Sequence, residues 1–410
     1  MAKRRVVITG VGVIAPNGTG KEAFWNALTS GKSGISRITR FDPTPFHSQI
    51  AGEVKDFDPV DFISPKKMKQ MDRFAQYGFV AARMAYEDAK FTQIEPKRAG
   101  IVVGTVLAGI EFSEKQYNIF CESGGKRVSA YAPMAVIINS CSSQIAIDLK
   151  FSGPSETIST GCASSASAIG RAVSLIRNND LDVMIAGGAE APIIPIVLGS
   201  FCAIRAVSRR NADPERACRP FDKERDGTVI SEGAAMLVLE EYTHAVKRKA
   251  HIYAEIIGYG TTCDAYHMIQ PSPSGIEAKR AIKLALEDSS IHPEEIDYIN
   301  AHGSSTPQND KIETEIIRGL FGEHSKNLAI SANKSMTGHL QGASSALEIV
   351  ASALTIRHKI IPPTINYEVP DPDCDLNYVP NQAIKKDVNT ILSNSFGFGG
   401  KNAAIVMRKI

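Results

Sequence analysis

The sequence has no surplus of one charge, no paired cysteines and no long apolar run, and each absence excludes something. With 46 Lys and Arg against 44 Asp and Glu the formal net charge is +2, so no global attraction to nucleic acid is implied. The seven cysteines, at 121, 141, 162, 202, 218, 263 and 374, lack paired spacing and form no CxxC metal pattern. They read as reduced thiols, and no bound metal is expected. No apolar stretch approaches the roughly 18 residues of a membrane helix. Met1-Ala2-Lys3-Arg4-Arg5 runs straight into a strand without a signal-type apolar region, so a cytoplasmic location without membrane attachment is expected.

What is there suits a large enzyme. The chain has 410 residues, 43% hydrophobic and 22% charged, enough for a substantial core. Short apolar strands alternate with helical patterns, which predicts a layered α/β fold. Val6 to Thr9, Ile101 to Val103 and Val183 to Ala186 read as buried strands. A second half begins near Ile252, with a helix from about Gly275 to Asp288, strands at Tyr298, Leu328 and Thr390, and an apolar strand from Ala403 to Met407. The expected division is 1–250 and 251–410, with no evident sequence repeat between the two.

The run Ser159-Thr160-Gly161-Cys162-Ala163-Ser164-Ser165 turns through glycine into an alanine-rich helix that carries Ala166, Ile169, Val173 and Ile176 at helical spacing and stops at Asn178-Asn179-Asp180. A thiol at a helix N-terminus meets unpaired N–H groups and the positive end of the dipole, which lowers its pKa and makes it a nucleophile. It should then be alkylated faster than the other six cysteines. The run equally allows a small buried hydrophobe.

Two downstream segments supply partners. Tyr298-Ile299-Asn300-Ala301-His302-Gly303 and Asn333-Lys334-Ser335-Met336-Thr337-Gly338-His339 each end a small-residue segment in a histidine beside glycine, a way for a loop at a strand end to present imidazole to a cleft. Asn394-Ser395-Phe396-Gly397-Phe398-Gly399-Gly400 is a glycine turn before the last strand. Such a turn either simply connects strands or aims a main-chain N–H at a developing oxyanion.

Together with Arg219-Pro220-Phe221-Asp222-Lys223-Glu224-Arg225-Asp226-Gly227 and the opening Val6-Val7-Ile8-Thr9-Gly10-Val11-Gly12, these segments resemble the β-ketoacyl-acyl carrier protein synthases, thiolase-like condensing enzymes, nearly end to end. The resemblance implies a five-layered α-β-α-β-α sandwich of two similar halves with the site between them. It also implies a Cys162-His302-His339 constellation supported by Lys334 and Glu348, and a gating Phe398 whose backbone shares an oxyanion hole with that of Cys162. No cofactor is implied, since phosphopantetheine arrives on an acyl carrier protein. Ser304 and Thr306 are candidate donors to that arm, Leu107 a candidate wall of the acyl pocket, and Lys66, Lys69 and Arg209 candidate contacts for the acidic carrier. A thiolase would need a second glycine-framed catalytic cysteine, chain-initiating synthases an Asn in place of His339, and a papain-like protease a cysteine signature absent here. A chain-length-factor-like partner subunit would lack Cys162.

Within the family, Ser159-Thr160-Gly161-Cys162, Ser231-Glu232-Gly233-Ala234-Ala235-Met236 and His302-Gly303-Ser304-Ser305-Thr306-Pro307-Gln308-Asn309-Asp310 resemble the ketosynthase subunit of type II polyketide synthases. That implies a heterodimer with a chain-length factor. The alternative is a fatty-acid elongating synthase acting as a homodimer. Lys401 departs from both patterns, which place a smaller residue beside the glycine turn.

Overall fold

The valine- and isoleucine-rich runs form the strands, and the alternation of side chains along them decides which layer each residue joins. The computed structural model of the chain describes residues 3–55 and 57–410. The first half contributes β1 (Val6–Ala15), α1 (Arg73–Ala89), β2 (Ala99–Gly104), α2 (Ser140–Leu149), β3 (Ser155–Ile158), α3 (Ser164–Arg177), β4 (Val183–Glu190) and β5 (Gly233–Glu241). The second contributes β6 (Ala254–Cys263), α4 (Ile276–Ser289), β7 (Tyr298–Asn300), α5 (Pro307–Phe321), β8 (Ala329–Ser331), the single turn α6 (Lys334–Thr337), α7 (Ser344–His358), β9 (Thr390–Gly397) and β10 (Lys401–Arg408).

The two halves repeat one topology. Their strand orders are β3-β2-β4-β5-β1 and β8-β7-β9-β10-β6. In each half the first three strands of that order run parallel and the last two join antiparallel. The sheets meet where β1 pairs with β6 over Val6–Ile8 and Ala254–Ile256. The duplication, invisible as a sequence repeat, is therefore explicit in the strand order.

Alternation along the strands sorts residues into three cores. Val102, Met184, Leu237, Ile391 and Ile405 face a central layer where α3 and α7 pack between the sheets. Ile101, Val103, Ile185 and Val238 turn outward to α1 and α2. Ile299, Ile330, Leu392 and Val406 turn outward to α4 and α5. The result is the expected five layers. The central helix α7 is buried on every side from Ser344 to Ile356, as a helix sandwiched between sheets must be. Among the described residues no helix is long and apolar enough to cross a membrane.

Candidate active site

α3 begins at Ser164, so Cys162 lies two residues ahead of it, in the turn after β3. Gly161 adopts φ +59° there, a conformation glycine takes without a Cβ penalty. The turn is locked against the other half: the Cys162 carbonyl accepts a hydrogen bond from the Ser345 hydroxyl at 3.1 Å, and the Ser165 hydroxyl accepts one from the Ala346 N–H at 2.9 Å. The glycine turn after β9 closes over the same spot. A Cβ on Gly397 would stand 2.7 Å from the Cys162 nitrogen, so only glycine permits that approach.

The electrostatics of Cys162 overturn the expected low pKa. Burial pushes the thiol up to about 11, against the opposing pull of the Phe398 N–H, the Lys334 charge and its own backbone N–H. A helix dipole is worth at most about 2 kcal/mol, roughly 1.5 pKa units, too little to restore a thiolate at neutral pH. Cys162 rests as a thiol, with two main-chain N–H groups facing its sulfur. It is also not the most accessible cysteine, because Cys121 is exposed and Cys263 partly so. Burial and a raised pKa both weigh against the expected preference for labelling Cys162.

His302 follows β7 in a loop tied to α5: the N–H groups of His302 and Gly303 donate to the two carboxylate oxygens of Glu313 at 2.9 and 2.8 Å. His339 follows α6. Its ring lies 5.6 Å from that of His302, nearly perpendicular. The tautomers follow from the partners. The His339 Nδ1 accepts the Gln341 N–H at 3.1 Å and contacts the Ser344 hydroxyl at 2.8 Å. The His302 Nδ1 faces the Lys334 ammonium at 3.4 Å, which has only protons to offer. Both rings therefore carry their proton on Nε2. Burial first, and then the Lys334 charge, holds both pKa values well below the usual imidazole range, so both rings are neutral.

Lys334 binds the His302 carbonyl at 2.6 Å and forms an ion pair with Glu348 of α7. Both side chains are buried. Burial raises the Glu348 carboxyl to about 7 despite that partner.

Cys162, His302, His339, Ser304, Thr306 and Phe398 line one cavity of about 360 Å³, with Lys334 and Glu348 behind it. The Ser304 and Thr306 hydroxyls are 2.9 Å apart, and Thr306 also caps α5. The Phe398 ring stacks on Phe201. Leu107, by contrast, is not part of the cavity wall: it is half-buried and its N–H donates to Glu190. Lys66, Lys69 and Arg209 are exposed outside the cavity, although Arg205, four residues before Arg209, lines its mouth.

Sequence reasoning missed Glu313, Asn394 and Glu190. Glu313 is wholly buried, raised to about 7 by burial, and is also approached by the Asn394 amide. Its one sequence signal is polar: Asp310, Glu313 and Thr314 fall on one helical face ahead of Ile316 and Ile317, where a solvent-facing stripe would be the ordinary reading. Glu190, raised to about 8, gathers the Thr105 hydroxyl and the N–H groups of Val106 and Leu107.

Comparison with known proteins agrees with this geometry. The family model for the N-terminal domain of beta-ketoacyl synthase matches residues 3–245, and that for the C-terminal domain matches 253–368. The 3-oxoacyl-acyl-carrier-protein synthase 2 of Coxiella burnetii (strain RSA 493 / Nine Mile phase I) is 46% identical over 412 residues and covers all of both chains. The protein of the same name from Synechocystis sp. (strain ATCC 27184 / PCC 6803 / Kazusa) is 45% identical over 411 residues, covering 100% of this chain and 99% of its own length. Among solved structures, a type II PKS ketosynthase in complex with its acyl-carrier protein and bound to the hexaketide superimposes with TM-score 0.92 at 38% identity, both chains covered in full. The ishigamide ketosynthase/chain length factor does so with TM-score 0.93 at 37% identity, again over both chains. The chain belongs to the β-ketoacyl synthase family and is an acyl-transferring condensing enzyme that forms carbon–carbon bonds.

Proposed function

We propose that this enzyme elongates saturated acyl chains on acyl carrier protein, as a 3-oxoacyl-acyl carrier protein synthase of fatty-acid synthesis. One observation carries the reading: a buried thiol and two neutral imidazoles, both protonated on Nε2, share one cavity. That set suits an acyl transfer followed by stabilisation of an enolate without a metal.

Cys162 Sγ attacks the carrier thioester, the carbon–sulfur bond to phosphopantetheine breaks, and the thiol proton leaves with the departing carrier thiol. The phosphopantetheine arm comes with the carrier, hydrogen-bonded by Ser304 and Thr306, and no resident cofactor takes part. Malonyl-carrier then enters and loses carbon dioxide. The electron pair of the broken bond moves onto the thioester oxygen, where the Nε2–H groups of His302 and His339 receive the charge. The enolate carbon attacks the acyl group on Cys162, and the N–H groups of Phe398 and Cys162 hold the resulting oxyanion. Collapse expels the Cys162 sulfur, which takes a proton from solvent, and releases the 3-oxoacyl-carrier. Lys334, anchored by Glu348, fixes the His302 tautomer, and Phe398 gates the thiol.

Lys66, Lys69 and Arg209 steer the acidic carrier to the cavity mouth. A homodimer is the assembly that goes with this reading. Exposed Tyr117, Phe120, Met134, Ile137 and Ile138 precede α2, which packs beside the outermost strand β3 of the first half, and they support a second subunit there. The second reading is a polyketide ketosynthase with a chain-length-factor partner, favoured by Ser304 and Asn309 in the His302 segment and by the two solved structures above.

Mass spectrometry of products decides between them. Purified protein alone, given malonyl-carrier and saturated acyl-carriers, should yield 3-oxoacyl-carriers two carbons longer. Product that appears only with a cysteine-less homologue present, as a poly-keto chain, would replace this reading with the second one.

A further inference from the structure

Lys401 opens β10 directly opposite Cys263, the last residue of β6. Its Nζ lies 3.4 Å from the Cys263 Sγ. That thiol contacts the Gly399 carbonyl at 3.6 Å. Gly397 pairs with Lys401, so Phe398, Gly399 and Gly400 form the tip of a hairpin whose base is Lys401. A second loop is sewn to that tip: the Asp264 N–H donates to the Gly400 carbonyl and the Gly399 N–H to the Met268 carbonyl, both at 2.8 Å. The Asp264 carboxylate accepts from Asn402 at 2.7 Å and from the Ser272 N–H at 3.0 Å. Asp264, Ile269 and Gln270 from this loop and Phe398 from the hairpin line the cavity on Cys162.

Glycine gives the hairpin tip conformational freedom. Gly399 and Gly400 sit at φ +76° and +69°, and glycine pairs permit many other conformations. What fixes the tip is its base and its seam with the 264–272 loop. At the base, the Lys401 ammonium meets the sulfur of its directly opposite cross-strand partner.

We propose that Lys401 is a positioning residue for Phe398: its clasp on Cys263 holds the hairpin down over Cys162 and sets how far the gate opens. The proposal rests on the reading of Phe398 as a gate. The reaction's chemistry does not pass through Lys401, which touches none of the cavity residues' reacting atoms.

The test is the rate at which iodoacetamide labels Cys162 in the intact protein, followed by peptide mass spectrometry. It is run for the wild type, Phe398→Ala, Lys401→Met, Cys263→Ala, the Lys401→Met/Cys263→Ala double variant and Lys401→Arg. Phe398→Ala should raise labelling. Lys401→Met and Cys263→Ala should each raise it about 3- to 10-fold, the double variant no further than either single one, as for two residues acting through one contact. Lys401→Arg, which keeps a long cationic donor, should stay near wild type. Steady-state KM for malonyl-carrier should shift in the two single variants more than kcat does. If Phe398→Ala labels faster and Lys401→Met does not, the clasp is refuted while the gate stands. If Phe398→Ala itself changes nothing, the gate reading fails and the clasp with it. Additive single effects, or a parallel rise in labelling of fully buried Cys141, would also overturn the proposal, since they report independent or global loosening.

Discussion

The connection between the third strand and the central helix differs sharply between the two halves. From β3 to α3 it is five residues, Ser159 to Ala163, and it holds the thiol. From β8 to α7 it is twelve residues, Ala332 to Ala343, and it holds Lys334, the turn α6 and His339. The frames are alike, yet the short connection leaves Cys162 almost no freedom, whereas the long one has room to arrange a cation, an imidazole and their partners. Duplication has supplied two equivalent positions facing each other across the central layer, and chemistry has been divided between them. In the proposed mechanism the first half carries the covalent bond and the second supplies the imidazoles that stabilise the enolate.

The largest expected effect tests the first side. Cys162→Ala should abolish condensation, by at least about 10⁴-fold as for other removed nucleophiles, while retaining measurable release of carbon dioxide from malonyl-carrier. Intact-protein mass spectrometry should show no acyl adduct. Loss of both reactions together would mean that the halves do not divide the chemistry.

Next come the imidazoles. His302→Ala or His339→Ala should cut decarboxylation about 10²- to 10³-fold, or 3–4 kcal/mol, the cost of losing one charge-stabilising donor. Acylation of Cys162 should survive. Because burial holds both rings well below the ordinary imidazole pKa, they stay neutral donors as pH falls through 6.5. A pH–rate profile of decarboxylation should therefore show no loss centred there, and a midpoint near 6.5 would contradict the neutral-donor assignment. The same sign governs stability: the unfolded chain binds protons below 6.5 that the folded rings refuse, so these two residues lower stability as pH drops.

A smaller effect sharpens the role of the second half's scaffold. Glu313→Gln keeps the size of the side chain but turns one acceptor into a donor facing a backbone N–H. An unsatisfied buried group costs about 1–3 kcal/mol, so chemical denaturation should show a loss of that order. Rates on malonyl-carrier should fall as the His302 loop shifts. An unchanged variant would show that Glu313 does not hold that loop.

The smallest effect lies outside both connections. Lys66→Glu with Lys69→Glu should raise KM for carrier-bound substrate and flatten its salt dependence, because exposed charges act over about 10 Å at 0.1 M salt. Free thioester substrates should be nearly unaffected. Equal losses for both would point to damage inside the cavity.

The three residues that meet in the cavity were legible because each sits in a compact glycine-framed segment: Cys162 after Gly161, His302 before Gly303, His339 after Gly338. Lys334 and Glu348 followed from the family resemblance and do meet in space. What could not be read was anything set by enclosure. The helix-start pattern of Cys162 suggests a low pKa, but burial, to which parts of the chain as distant as the Gly397 turn contribute only once folded, pushes it the other way. Glu313 and Glu190 look like surface acids in the chain and become buried acceptors only when loops from elsewhere direct their N–H groups at them. Leu107 lies outside the cavity wall, in a loop whose N–H groups Glu190 gathers.

The pairing of β1 with β5 has a consequence for synthesis. Val6 lies opposite Glu241, so β1 waits during synthesis for a partner made about 230 residues later. At 5–20 residues per second that delay is roughly 10–50 s. During it, Val6–Ala15, a strand buried along its whole length in the fold, lacks both of its long sheet neighbours, β5 and β6. Until then both long edges of β1 are without their ladder partners, so this strand joins the sheet only after β5 and β6 have been made.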